Sequence, residues 1–259
     1  MNRWILKIAN SIVTFTVVVI LLIAGLYAGY ALWDNNRIYA EAEDVQADML
    51  KLKPKEEEPG KGASFEELMK INHDVCAWIT IDHTAIDFPV LQGEDNLSYI
   101  NRDVYGNFAL AGSIFLDSRN VNDFSDAYSL LYGHHMDHSN MFGDLDLFKD
   151  EKFFRENRTG KLLLPDASYG LEVLCVMMVQ ASDPVIFQPQ IVSGEMEQLL
   201  DLAQKDAMHL NEDVLQTLRA EEHPEILGLS TCSSEFTDAR TILLCRRFSL
   251  GLQTENILS

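Results

Sequence analysis

The sequence predicts a mostly-β domain, a closed barrel with helical decoration, behind one apolar N-terminal span. Three observations carry this reading of the 259 residues. Ile8–Trp33 holds no charged side chain. From residue 77 onward, short runs rich in β-branched and aromatic residues alternate with turn formers. Only two stretches between those runs show helical spacing. Alternation alone does not separate a barrel from a sandwich.

The span comes first. About 20 apolar residues at ~1.5 Å rise each cross a hydrocarbon core. Trp4, Tyr27, Tyr30 and Trp33 lie towards the ends of the run, where amphipathic rings favour the interface. A cleaved signal peptide is the rival, but its apolar core is about 7–15 residues and ends in small residues. This run is longer and closes on bulky Leu32 and Trp33. Arg3 and Lys7 precede it and Asp34 follows, so the positive-inside tendency puts the N-terminus in the cytoplasm and everything after Trp33 outside. Residues 1–33 thus read as a cytoplasmic stub with a transmembrane anchor at the cell membrane.

Residues 34–63 read as a linker: a polar helix in "NNRIYAEAEDVQADMLKL", then "KPKEEEPGKGA" with its Pro and Gly breaks. The globular domain, 64–259, opens at "SFEE", a capping-box pattern of Ser64 with Glu67, and a short helix to Ile71. "AWITI" and "AIDFPV" flank a turn at "DHTA". "GSIFLD", "SLLYGH", "GKLLLP", "YGLEVLCVMMVQ", "EILGLSTC" and "RTILLCRRF" continue the strands. The helical inserts are "MFGDLDLFKDEKFFREN" and a longer one over Ser193–Glu222, with Met196, Leu199, Leu200 and Leu202 on one face.

Lys and Arg number 20 against 40 Asp and Glu, a net charge of −20. Nucleic acid is excluded as a partner, because phosphate binding needs a basic surface. Of the four cysteines, Cys76, Cys175 and Cys245 lie in apolar runs and read as buried thiols rather than disulfide partners. Cys232 ends a strand, between small hydroxyl residues.

"LLYGHHMDHSNMFGDL" holds His134, His135 and His138. A metal site is one reading, but no HExxH pattern is present, and a strand ahead turns His134 and His135 to opposite faces. Cys232 ends one strand and Arg240 begins the next. At one rim of a barrel, a thiol nucleophile, a histidine acid/base and an always-charged arginine have complementary tasks. Spacing alone leaves Arg240 equally readable as a solvated strand-end charge.

These segments resemble the class B sortases, membrane-anchored cysteine transpeptidases of Gram-positive bacteria. The likeness runs from about Phe65 to Phe248 through "WITIDHTAIDFPVLQGEDNLSYI", "GSIFLDSRN", "LLYGHHMDHSNMFGDL", "LSTC" and the Arg of "ARTILL". It implies an eight-stranded β-barrel with N-terminal helices and a long helix between the sixth and seventh strands, for which Ser193–Glu222 stands. That helix separates class B from the compact class A, and nothing before the barrel resembles the Asp-Pro-Trp lid of class C.

The resemblance makes Cys232 the nucleophile, His134 the acid/base and Arg240 the oxyanion donor. It places Asn96, Ile100, Tyr132 and Ser230 at the substrate site, with Val185 and Ile186 where some relatives carry a Tyr-Ile pair. An acidic residue that some relatives place after the nucleophile is Ser233 here. No metal or other cofactor is required. The implied substrates are secreted proteins with a C-terminal sorting signal, cleaved after Thr. The implied acceptor is an amine of a peptidoglycan cross-bridge or its lipid-linked precursor. A pilus polymerase using a pilin Lys, or a catalytically silent tethered binding domain, are the alternatives.

Overall fold

A computed structural model describes residues 3–54, 63–136, 139–190, 195–232 and 238–250. The chain divides into two compact units, 1–41 and 42–259. Helix α1, Arg3–Leu50, is longer than the sequence suggests: the apolar span and the polar helix after it form one element. Its N-terminal stretch is long and apolar enough to cross a membrane, and Phe15, Leu21, Leu22, Leu26 and Tyr27 are exposed along it.

In the second unit, α2 (Ala63–Ile71) precedes the strands; the Ser64 side chain proposed to cap it lies outside the described residues, as does most of the charged linker. Besides three two-residue strands, the described residues hold eight that build the barrel: β1 Val75–Ile81, β2 Asp87–Leu91, β3 Ile114–Leu116, β4 Tyr128–Gly133, β5 Thr159–Leu163, β6 Ser168–Gln180, β7 Ile226–Cys232 and β8 Ala239–Ser249. They are ordered β8-β7-β4-β3-β2-β1-β5-β6, and pairing of β6 with β8 closes the ring. The β2–β3 and β4–β7 pairs are parallel and the rest antiparallel. Closure removes the unpaired edges that a sandwich would keep.

Side chains alternate across each strand, and here both faces are covered. One face of β4, β6, β7 and β8 places Leu130, Met177, Ile226 and Ile242 against helices α4 (Met196–Asp206) and α5 (Glu212–Ala220). The opposite face carries Leu131, Leu229 and Leu243, each fully buried. On β1, Trp78 is fully buried beside Met49, Phe65 and Leu68 of the preceding helices. Its indole N–H donates to Asp87 at 2.6 Å, and Thr80 and Lys53 bind the same carboxylate.

The helix expected between the sixth and seventh strands is two helices. At His209–Leu210 the chain pairs with Cys175 and Val176 of β6, and the Asn211 backbone N–H donates to Leu174. These bonds to the sheet take the backbone groups that a continuous helix would need for itself. The earlier insert is also split, into a 3₁₀ turn at Gly143–Lys149 and α3 at Glu151–Glu156. Asp150 stands between them and caps α3 by accepting the Phe153 N–H at 2.8 Å.

The segment from Gln92 to Ser113 folds back on itself beside β4, and Gly112 makes this feasible. Its φ is +61°, and a Cβ there would lie 2.3 Å from the Ile100 carbonyl oxygen and 2.7 Å from that of Tyr99. Gly112→Ala is therefore expected to cost about 1–3 kcal/mol of stability, read as a lower denaturant midpoint. An unchanged midpoint would show that the segment can shift without penalty.

Candidate active site

Parallel pairing of β4 with β7 brings their C-terminal ends to one rim. Ser230 pairs with Tyr132 and Thr231 with Gly133, so the next step of the register sets the Cys232 backbone beside His134. On the other flank, antiparallel pairing sets Cys232 opposite Arg240, a relation that holds two Cα atoms about 4.5–5.5 Å apart. The Cys232 side chain and residues 233–237 lie outside the described residues.

A cleft of about 320 Å³ opens at this rim. Asn96, Ile100, Tyr132, His134, Ser230 and Arg240 all line it. The His134 Nε2–H donates to the Ile100 carbonyl at 2.7 Å, since a carbonyl oxygen only accepts. That bond fixes the ring and leaves Nδ1 as its other nitrogen. Arg240 donates to its neighbour Ala239's carbonyl at 2.9 Å. The Ser230 hydroxyl is buried and has no hydrogen-bond partner among the described residues. Buried hydroxyls are rarely left so, and here the atom borders an open cleft.

Val185 and Ile186 do not line the cleft. Ile186 is fully buried in the cluster beneath α4 and α5, its carbonyl accepting from the Tyr128 hydroxyl at 3.1 Å, and Val185 packs against the same cluster. Asp183 turns the chain there, its carboxylate accepting the N–H groups of both residues. The next residue, Phe187, is the one that reaches the cleft, its ring stacked on Tyr132 at 6.4 Å and 9°. Phe115 packs on Tyr132 at 5.3 Å.

Behind these rings lies Asp117, fully buried. It accepts from Asn96 (3.0 Å), the Tyr132 hydroxyl (2.9 Å) and the Arg119 guanidinium (2.8 and 2.9 Å). Burial opposes its ionisation, but the bonds from Arg119 and Tyr132 outweigh burial and hold the carboxyl below its ordinary value. Burial, with the neighbouring Asp117 charge, pushes the Tyr132 phenol upward. Sequence reading assigned no role to Asp117, Arg119 or Phe187; an acid at a strand end with Arg two residues on was the available signal.

The other histidines diverge from His134. His135 binds Asp146 at 3.1 Å, and His138 lies outside the described residues. No cluster able to hold a metal is found among the described residues. Cys76, Cys175 and Cys245 are buried free thiols. Burial pushes Cys76 and Cys245 up to about 12, and Cys175 higher.

No protein-family model matches the chain. The crystal structure of a Streptococcus pyogenes class B sortase involved in pilus biogenesis does match, at 34% identity and TM-score 0.64, over 73% of this chain and all of that one. The chain belongs to the class B sortases. Sortase B of Staphylococcus aureus is 28% identical over 228 residues, 88% of this chain and 91% of that protein. The structure of a Staphylococcus aureus sortase B–substrate complex aligns at TM-score 0.70 and 26% identity, over 84% of this chain and 99% of that one. This sortase is accordingly a cysteine transpeptidase.

Asp146 ties the rim together from beneath. It accepts from His135, from Lys149 at 2.8 Å and from the buried Thr241 at 3.1 Å, the residue after Arg240. Burial raises its carboxyl, but Lys149 and then His135 bring it below its ordinary 3.8. A carboxyl depressed by folding stabilises the native state above its unfolded value, and that contribution fades as pH falls through the folded value. Asp146→Asn should therefore lower the melting temperature at pH 7, with the gap to the parent narrowing below pH 3.8. A gap of constant size across that range would show that charge at Asp146 is immaterial.

Proposed function

We propose that this sortase is anchored in the cell membrane, cleaves a C-terminal sorting signal after Thr and transfers the released acyl group to a peptidoglycan amine. The strand register carries the reading: Cys232 pairs with Arg240 and directly follows Thr231, whose partner Gly133 directly precedes His134. Two further points support it. The other three thiols are buried and held protonated, and only the thiolate is an effective nucleophile. The apolar helix supports anchoring, with Arg3 and Lys7 on the cytoplasmic side and the barrel outside.

In the proposed reaction the Cys232 thiolate attacks the Thr carbonyl carbon, and the Arg240 guanidinium holds the oxyanion that forms. His134 donates its proton to the departing amine, the C–N bond breaks and a thioester remains. The incoming amine then attacks the thioester. His134 takes the proton released, and the thiolate leaves. With Nε2–H held by the Ile100 carbonyl, Nδ1 is the nitrogen that gives and takes the proton. The orphan hydroxyl of Ser230 and the amide of Asn96 are the groups offered to the peptide, beside the Tyr132 ring. No step needs a metal.

A pilin Lys is the second acceptor to weigh, because the Streptococcus pyogenes relative is involved in pilus biogenesis. Incubation with pilin subunits separates the two acceptors: a polymerase builds ladders of covalent multimers, whereas a wall-anchoring enzyme transfers single proteins to amine analogues of the cross-bridge.

The class B resemblance implies a sorting signal of the Asn-Pro-x-Thr-x type or a relative of it; against a library of such peptides, Cys232→Ala should abolish cleavage with the fold intact. Substantial turnover by that variant would remove Cys232 as the nucleophile. Arg240→Lys keeps the charge but loses the planar fork, and kcat should fall about 100-fold or more. A near-normal kcat would reassign Arg240 to a solvated surface charge.

A further inference from the structure

The Asp117 network does more than fill space behind the cleft. Its Oδ2 accepts from Asn96, Tyr132 and Arg119, and its Oδ1 accepts the Arg119 backbone N–H and Nε–H. Asn96 is held at both ends, because its Oδ1 also accepts the Ser118 N–H at 2.7 Å. Arg119 reaches further: its Nη2 donates to the Phe187 carbonyl at 3.1 Å, and its own carbonyl accepts from Gln190 at 3.4 Å. One buried carboxylate thus joins the cleft's polar groups to the segment that supplies its aromatic wall. Arg119 matches the charge of Asp117, so this end of the cleft presents rings and one remaining Asn96 N–H, with the buried, unpartnered Ser230 in its lining.

We propose that Asp117 is a positioning residue that sets specificity: it fixes Asn96 and Tyr132 and, through Arg119, clasps the Phe187 wall over them. The cleft then takes an extended peptide carbonyl beside a small or apolar side chain. The peptide part of this inference rests on the sortase reading above; the clasp does not.

Asp117→Asn tests it without changing volume. Either orientation of the new amide turns an NH₂ towards donors, of Asn96, Tyr132 and Arg119 or of Arg119 alone, leaving buried groups opposed. KM for the best-cleaved Asn-Pro-x-Thr-x peptide should rise about tenfold or more while kcat stays within about threefold, and tolerance at the x positions should broaden. Hydrogen exchange over residues 181–190 should quicken in the same variant. Arg119→Lys, at a half-exposed site, keeps the charge without the fork and should show the same two changes. If Asp117→Asn does not fold, the Arg119→Lys results decide alone. A fall in kcat at unchanged KM would overturn the specificity role, and unchanged exchange over 181–190 would overturn the clasp. Faster exchange alongside a parent enzyme that cleaves no peptide would leave the clasp standing and sink the substrate reading instead.

Discussion

The register of β7 between two unlike neighbours is the constraint on which the site depends. A parallel partner ends where β7 ends, and an antiparallel partner begins there. Gly133–His134, Cys232 and Arg240 therefore meet at one rim although about 100 residues separate the first from the others. A slip of one residue in either ladder would turn every side chain to the opposite face. Closure resists such a slip, because β8 is held along its length by β6 as well as by β7, from Ala239 with Gln180 to Ser249 with Tyr169. Groups on strands fixed in this way are placed more accurately than groups on loops.

The cleft lies on a wall whose neighbouring surface is covered from two directions. Tyr132 packs against both the cluster beneath α4 and α5 and the one formed with α1 and α2. It stands at the seam, where neither cover closes over the strands. Its hydroxyl goes to Asp117 and its ring to Phe115 and Phe187, so the residue contributes shape to the cleft. Asn96 is constrained likewise. Buried polar networks of this kind hold a surface in one state when every member is satisfied, and at Asp117 both carboxylate oxygens are.

Much of this was legible in the sequence because it is local. Alternation marked the strands, the charge-free run marked α1, and strand ends at His134, Cys232 and Arg240 suggested one rim. What the sequence did not show depended on distant partners. The 193–222 insert has helical spacing at both ends, and only bonds to β6 at His209–Asn211 divide it. Val185 and Ile186 resembled a groove-lining pair, but Asp183 winds the chain so that Ile186 enters the core and Phe187 emerges. Asp117 acquires its role from residues 96, 119, 132 and 187, which no window of the sequence contains together.

The two adjacent histidines show how anchoring divides labour. His135 is paired with a carboxylate, which also grips Thr241 beside Arg240 and so serves the frame. His134 is anchored by a neutral backbone carbonyl. A carbonyl fixes the plane of the ring, as the carboxylate of a hydrolase triad does, without setting a permanent negative charge against it. In the proposed reaction the ring must surrender a proton to one amine and recover it from another. Because Nε2–H stays on the Ile100 carbonyl throughout, the ring is an imidazolium when Nδ1 protonates the departing amine and a neutral imidazole when Nδ1 accepts the incoming amine's proton. His134 thus alternates in charge beside the thiolate and Arg240.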